Sequence, residues 1–292
     1  MILNAAAKIN LMLDILGKVE GGYHTLFMVM QSVGLEDRIQ LTETGEAGRI
    51  EITCSDPAIP CDETNIAWKA AEQFFSVTGE PNPGLRIDIE KHIPSAAGLA
   101  GGSADGAAVF VGLNRMNGNK VSDRDLCRMA EKVGADIPFC IMGGTMLAMD
   151  VGGVLAPLPD LDKEWYVLVK PDQDVSTKEA YATFDRHMRE VRHLNTNAML
   201  RAVVNQDNDK VYHLVDNVFE QLIEVPDRVD IKALMRGTGA VASCMSGSGP
   251  SIFGIFTTKE EAKNCAELLR KKNFTNVFVC RPTRCGVTVE QE

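Results

Sequence analysis

The ten residues Pro94-Ser95-Ala96-Ala97-Gly98-Leu99-Ala100-Gly101-Gly102-Ser103 constrain this chain more than any other stretch. They follow Leu85 to Glu90 (LRIDIE), whose strict alternation reads as a strand. They precede Ser103 to Arg115, where Ala104, Ala107, Ala108 and Val111 are spaced to pack a helix on a sheet. Glycine lets the backbone approach a ligand closely and take positive φ. The first turn of the helix offers unpaired N–H groups and a partial positive charge. A strand entering a helix through such a loop is an anion site suited to phosphate. No GK[ST] follows the glycines, so this is not the common P-loop, and the spacing is not that of a dinucleotide fingerprint. A tight turn that needs glycine for geometry alone would read the same way. The loop therefore needs company before it means ATP.

Three other segments are candidates for that company. Met245-Ser246-Gly247-Ser248-Gly249-Pro250-Ser251 joins two expected strands, and serves either as a hairpin turn or as a second lip over a phosphate. Lys8 and Asn10 lie on an N-terminal strand in which Ile9, Leu11, Leu13 and Ile15 alternate with Asn10, Met12 and Asp14, as in a half-buried strand; an edge strand with polar residues facing water would also carry them. Gly134-Ala135-Asp136-Ile137-Pro138 sets a lone carboxylate between a helix stop and a proline, where a turn aspartate is common.

Around these motifs the chain alternates strands and helices. Strands are expected at His24–Gly34, Arg38–Thr42 and Arg49–Cys54, and a helix at Asn65–Val77 with Ile66, Ala70 and Phe74 on one face. Ser122 reads as the N-cap of a helix that Gly134 ends, and Gly143–Met149 as a strand. The stretch DVGGVLAPLPDLDK, from Asp150 to Lys163, is rich in Gly, Pro and Asp and marks a boundary between residues 1–155 and 156–292. Beyond it, strands at Trp165–Lys170, Ala240–Met245, Ser251–Phe256 and Asn276–Arg281 frame helices, including Lys259–Lys271. That order suggests a ferredoxin-like α+β sandwich.

Composition narrows the function. The 292 residues carry a formal net charge of −10, the wrong sign for a general nucleic-acid or membrane-surface binder. A nucleotide must then be held locally, by backbone N–H groups and a few placed cations. Eight scattered cysteines without a CxxC pair, and an N-terminus broken by Lys8, Asn10 and Asp14, fit reduced thiols in the cytoplasm rather than a zinc site or an export signal.

Taken in order, AKINL, GYH, PSAAGLAGGSAD, GADIPF and MSGSGPS resemble the GHMP kinases along nearly the whole chain. These bind ATP on a loop of the type PxxxGLGSSAA. The opening AKINLMLDILGKVEGGYHTL is similar to the branch that phosphorylates the 2-hydroxyl of a cytidine-diphosphate-linked methylerythritol, in non-mevalonate isoprenoid synthesis. Gly21 stands where that branch usually has aspartate, Ala100 where many relatives have glycine, and Gly106 where alanine is usual. The resemblance implies a two-domain α+β fold, with a ribosomal-protein-S5-domain-2-like first domain and a ferredoxin-like second. It implies a kinase with ATP and Mg²⁺, a small-molecule acceptor, and neither nucleic acid nor membrane as partner.

Residue by residue, it implies Asp136 as proton acceptor with Lys8 beside it. The ATP loop would comprise Pro94, Ala96, Ala97, Gly98, Leu99, Ala100, Gly101, Gly102 and Ser103, with Asn65 and Lys91 near the adenosine. Ser103 is the hydroxyl to try for the metal, whose other ligands are unknown. Asn10 would lie near the reacting hydroxyl, and Tyr23, His24 and Tyr181 near the pyrimidine; Tyr181 equally suits a packing role between domains. Ser246, Gly247, Ser248 and Gly249 form the second glycine-rich motif. Other GHMP kinases, a non-catalytic sensor on the same fold and an RNA-binding module are the rival expectations. The GYH motif, the Lys8 and Asp136 pair and the acidic charge argue against them in turn.

Overall fold

A computed structural model describes residues 1–18 and 21–292; Val19 and Glu20, inside the segment that carries the finer resemblance, lie outside the described residues. The N-terminal segment forms β1 (Ile2–Lys18) and turns back as β2 (His24–Glu43). The expected pair of strands at 24–34 and 38–42 is thus one strand, whose register against β1 shifts between Ala6 and Ala7, Asn10 and Met12, and Ile15 and Gly17. Such bulges let a long ribbon bend without ending. Nor is β1 an edge or half-buried strand. Asn10, Met12 and Asp14 are as buried as the aliphatic residues between them.

β3 (Ile50–Cys54), α1 (Ile66–Thr78) and β4 (Leu85–Glu90) follow. Asn65 caps α1 by accepting from the Ala67 N–H, and Gly79 ends it at φ 71°. Next come α2 (Gly101–Met116), α3 (Asp123–Glu131) and α4 (Ile137–Met142), then β5 (Thr145–Asp150) and β6 (Val154–Pro157). Ser122 caps α3 as expected, accepting from the Asp125 N–H. The expected boundary between residues 155 and 156 falls inside β6, which pairs with β5.

The second half comprises β7 (Trp165–Lys170), α5 (Thr177–His187), α6 (Thr196–Val204), α7 (Asn208–Leu214) and the short β8 (Asp216–Asn217). A 3-10 turn at Val218–Gln221 and α8 (Arg228–Gly237) lead to β9 (Ala242–Met245) and β10 (Ile252–Phe256). The chain finishes with α9 (Lys259–Lys271), β11 (Asn276–Cys280) and β12 (Val287–Gln291).

Two sheets result. The first runs β12-β1-β2-β4-β3, with β5 and β6 branching from β2 and β8 beside β1. The second runs β11-β7-β10-β9, wholly antiparallel, which is the strand order of a ferredoxin-like unit. β12 and β8 belong to the second half of the sequence but pair with β1, so the chain crosses back to finish the first sheet.

Helix α2 is the central helix of the first unit. Its glycines permit contact at backbone distance: a Cβ on Gly112 would lie 2.4 Å from Leu41 Cδ1, and one on Gly106 2.9 Å from Ile66 Cγ2. Phe110 on this helix, and Phe74 and Phe139 around it, are essentially fully buried. Each contributes on the order of 2 kcal/mol by leaving water. This packing fixes the helix end on which the glycine loop sits.

Candidate active site

The loop leaves β4 through Lys91 to Ile93 and enters α2 at Ala100. Ala96, Gly98 and Ala100 have φ of 50°, 73° and 60°, alternating with residues of ordinary φ. That alternation turns successive N–H groups toward one side, the concave arrangement that receives an anion. Ala100 is the N-cap of α2 and has no side chain that could cap it. The amides that open this helix are therefore left to a ligand. Gly101 and Gly102 sit tightly over Lys91, Ile93 and Ile66, where a Cβ would come within 3.1–3.3 Å of them. Leu99 differs from its neighbours: its side chain is core, and its carbonyl accepts from the Lys8 N–H at 3.0 Å.

The second glycine motif, between β9 and β10, locks onto the first. A Cβ on Gly98 would stand 2.3 Å from the Ser246 carbonyl oxygen. Ser246 Oγ donates to the Gly98 carbonyl at 2.9 Å, and the Ser251 N–H to that of Ala97 at 3.3 Å. Ser246 and Gly249 thus seat the loop from behind, while Gly247 and Ser248 face the cavity. Ser248 Oγ lies 3.0 Å from Thr177 Oγ1 at the head of α5. Asn217, which nothing in the sequence singled out, is fully buried and donates to the Met245 and Gly247 carbonyls, both at 2.8 Å. Its sequence neighbourhood gave no signal, since its partners lie 28 and 30 residues away.

Lys8 and Asp136 meet at this junction. Lys8 Nζ donates to Asn10 Oδ1 at 2.7 Å and lies 3.7 Å from Asp136 Oδ2. Asn10 Oδ1 also accepts from the Gly247 N–H at 3.0 Å, and its amide approaches Met28 Sδ. Asn10 is completely buried, so it holds the lysine and the second loop rather than facing the cavity. Asp136 is the residue before α4, and its carboxylate makes no capping bond. It stays about one-third exposed beside a lysine that is 5% exposed. A carboxylate with one side open and a cation at its back is placed to take a proton from a bound hydroxyl.

Lys91 lines the cavity, but it is not a free cation for phosphate. Its Nζ is bonded to Asp37 and lies 2.8 Å from Asp105 Oδ2. Asp37 Oδ1 also accepts from the His92 and Ile93 N–H groups, which ties the start of the phosphate loop to β2. Asp105 Oδ1 is buried without a partner among the described residues. Burial pushes the Asp105 carboxyl up to about 8, with Lys91 pulling against the rise and Asp37 adding to it. Asn65 caps α1 with its oxygen and gives its amide to the Pro60 carbonyl, so its place in the cavity wall follows from a structural task.

The far end of the cavity is aromatic. Tyr181 and Phe219 line it, 5.1 Å apart and nearly perpendicular. Burial raises the Tyr181 hydroxyl far above its usual range. His24 is not in the wall itself; its ring stacks on Tyr181 at 4.8 Å. Tyr23 is 67% exposed at the hairpin tip, and the fold does not bring it to the cavity. Tyr181 both packs between the two units and faces the cavity. The whole space, about 680 Å³, runs from the uncapped end of α2 past Lys8 and Asp136 to these rings.

This geometry has close relatives. The model of the GHMP kinases N terminal domain matches residues 65–144, and that of the GHMP kinases C terminal matches 199–275. The chain is 39% identical over 283 residues to the 4-diphosphocytidyl-2-C-methyl-D-erythritol kinase of Clostridium novyi, covering 96% of this chain and 99% of that one. It is 40% identical over 296 residues to the enzyme of the same name from Gloeobacter violaceus, covering 99% and 96%. A crystal structure of 4-(cytidine 5'-diphospho)-2C-methyl-D-erythritol kinase superposes with a TM-score of 0.78 at 29% identity, covering 97% of this chain and 99% of that one. A homoserine kinase from Cytophaga hutchinsonii has the same TM-score at 20% identity and covers 99% and 96%, which establishes a shared fold alone. The chain belongs to the GHMP kinases and, within them, to the 4-diphosphocytidyl-2-C-methyl-D-erythritol kinase family.

Proposed function

We propose that this chain transfers the γ-phosphoryl group of ATP to the 2-hydroxyl of 4-diphosphocytidyl-2-C-methyl-D-erythritol, in the synthesis of isoprenoid precursors. The observation that carries this reading is the Lys8–Asp136 pair, 3.7 Å apart where the two glycine loops meet. Phosphoryl transfer asks for in-line positioning and neutralisation of charge more than covalent chemistry. The uncapped amides of α2 and the alternating loop receive the phosphates, and Lys8 faces the transferring group. Asp136 accepts the proton of the acceptor hydroxyl. Asn10 and Asn217 keep these groups in register by tying Lys8 and the second loop together.

Mg²⁺ is expected with ATP and neutralises charge on its phosphates. Ser103 presents a hydroxyl to the cavity at the head of α2 and would hold the ion there, since a Mg²⁺ ion carried by a nucleotide needs only one or two protein oxygens. The ATP and catalytic groups fall in residues 1–155 and the second lip in 156–292. No helix among the described residues is long and apolar enough to cross a membrane. The eight cysteines, all free, suit a reducing cytoplasm.

Asp136→Asn tests the proton-acceptor role. Loss of a general base lowers kcat by about 10²–10⁴-fold. ATP affinity, measured by calorimetry, should stay within about twofold, because the loop amides are untouched. Full turnover in that variant removes Asp136 from the mechanism.

A further inference from the structure

Strand β9 is an edge of the second sheet, with β10 on one side and, among the described residues, no strand on the other. Across that pair the Ser246 N–H bonds to the Ser251 carbonyl at 2.9 Å. In the alternating antiparallel pattern, the N–H and carbonyl of Met245 therefore point away from β10. Two side chains take the place of the missing strand. Glu220 Oε1 accepts from the Met245 N–H at 2.6 Å, and Asn217 Nδ2 donates to the Met245 carbonyl at 2.8 Å. The second hydrogen of the same amide goes to the Gly247 carbonyl, also at 2.8 Å. Glu220 Oε2 accepts from Lys232 Nζ on α8 at 2.6 Å, and the two side chains are only 15% and 20% exposed. The carboxylate is thus balanced in charge and held in place while it grips the strand.

Between Asn217 and Glu220 stands Phe219. Its N–H donates to Asn217 Oδ1 at 3.0 Å, and its ring, nearly perpendicular to Tyr181, lines the aromatic end of the cavity. Met245 opens the motif whose Gly247 and Ser248 line the same cavity beside the phosphate loop. Residues 217–220 thus fasten the second lip with their side chains and carry the aromatic wall on the same short segment. The lip cannot shift without drawing Phe219 with it. A ligand that orders one end of the cavity leaves less to be ordered by a ligand at the other.

We propose that Glu220 is a positioning residue that couples the two ends of the cavity, so that nucleotide and acceptor each tighten the binding of the other. The identity of the acceptor rests on the function proposed above; the coupling itself rests on the bonds from Asn217 and Glu220 to Met245. Coupling between two sites is reciprocal, and a factor of about ten is ordinary for it.

Calorimetry with a non-hydrolysable ATP analogue and 4-diphosphocytidyl-2-C-methyl-D-erythritol measures that factor. In the wild type each ligand should bind about tenfold tighter when the other is saturating. Glu220→Ala frees the Met245 amide and should bring the factor to about one. Each ligand alone should still bind within about threefold of the wild type, because Glu220 is not in the cavity wall. Glu220→Gln keeps an oxygen for that amide and should recover part of the factor. A merely structural role would weaken both ligands and leave the factor as it was. A second measurement needs neither the acceptor nor a change at Glu220. In protein labelled with 4-fluorophenylalanine, the ¹⁹F signal of Phe219, assigned by its loss in Phe219→Leu, should shift when the ATP analogue alone is added. A wild-type factor within about twofold of one, an unaltered factor in Glu220→Ala, or a Phe219 signal indifferent to the nucleotide overturns the proposal. Failure of the cytidine compound to bind counts against the function instead, and the fluorine signal still decides the coupling.

Discussion

At the scale of single residues, Asp105 stands in an environment that departs far from the ordinary for a carboxyl group. Its carboxylate shares Lys91 with Asp37, and one of its oxygens is buried without a partner among the described residues. Its folded-state value of about 8 lies well above the ordinary 3.8. A carboxyl raised on folding supports the fold fully below its ordinary value, and that support is lost as pH rises toward 8. Asp105→Asn cannot ionise and escapes this loss. Its melting temperature should therefore gain on the wild type between about pH 4 and about pH 8, by a few degrees. Thermal melts across that range check it, and parallel curves would contradict it. The sequence showed Lys91 beside a phosphate loop but not its occupation by Asp37, which lies 54 residues away on a strand that only the folded sheet brings near. Side chains that act within a few positions of their own backbone, such as the Ser122 cap, were far easier to read.

At the scale of elements, the site depends on one loop pressing on another. Gly98 combines a φ of 73° with a backbone carbonyl 2.3 Å from where a Cβ would stand. The obstacle is backbone rather than the end of a flexible side chain, so Gly98→Ala must push the two loops apart. ATP affinity should fall about tenfold or more, as a phosphate cradle loses its geometry. Ala100→Gly is the contrasting control. Ala100 already holds a φ of 60°, and glycine enters that region at no steric cost, so ATP binding should be kept. Calorimetric titration of both variants decides the matter. Equal affinities in Gly98→Ala and wild type would mean that the loop is a turn and not a cradle. Most elements were legible because each carries its own period: β4, β7 and α9 occupy the expected ranges. The long β2 was not, because bulges interrupt the alternation that marks a strand while the pairing continues.

At the scale of the whole molecule, the proposed function requires a chain of net charge −10 to hold two phosphate-bearing ligands in one cavity. The chain gathers local donors for this from both units: the α2 end and Lys8 from the first, Gly247, Ser248 and Tyr181 from the second. The order of motifs along the sequence was enough to expect the family, and with it both units. The return of β12 and β8 to β1 was beyond reach, because a short strand carries no mark of which sheet it will join. Under the proposed function, the aromatic end of the cavity separates a cytidine-linked acceptor from smaller ones. ADP release with ATP–Mg²⁺ therefore tests the central claim most directly, using 4-diphosphocytidyl-2-C-methyl-D-erythritol, mevalonate, homoserine and galactose as alternative acceptors. The expected result is rapid turnover with the cytidine compound and background rates with the other three. Turnover with mevalonate, homoserine or galactose in its place, or with none of the four, would contradict it.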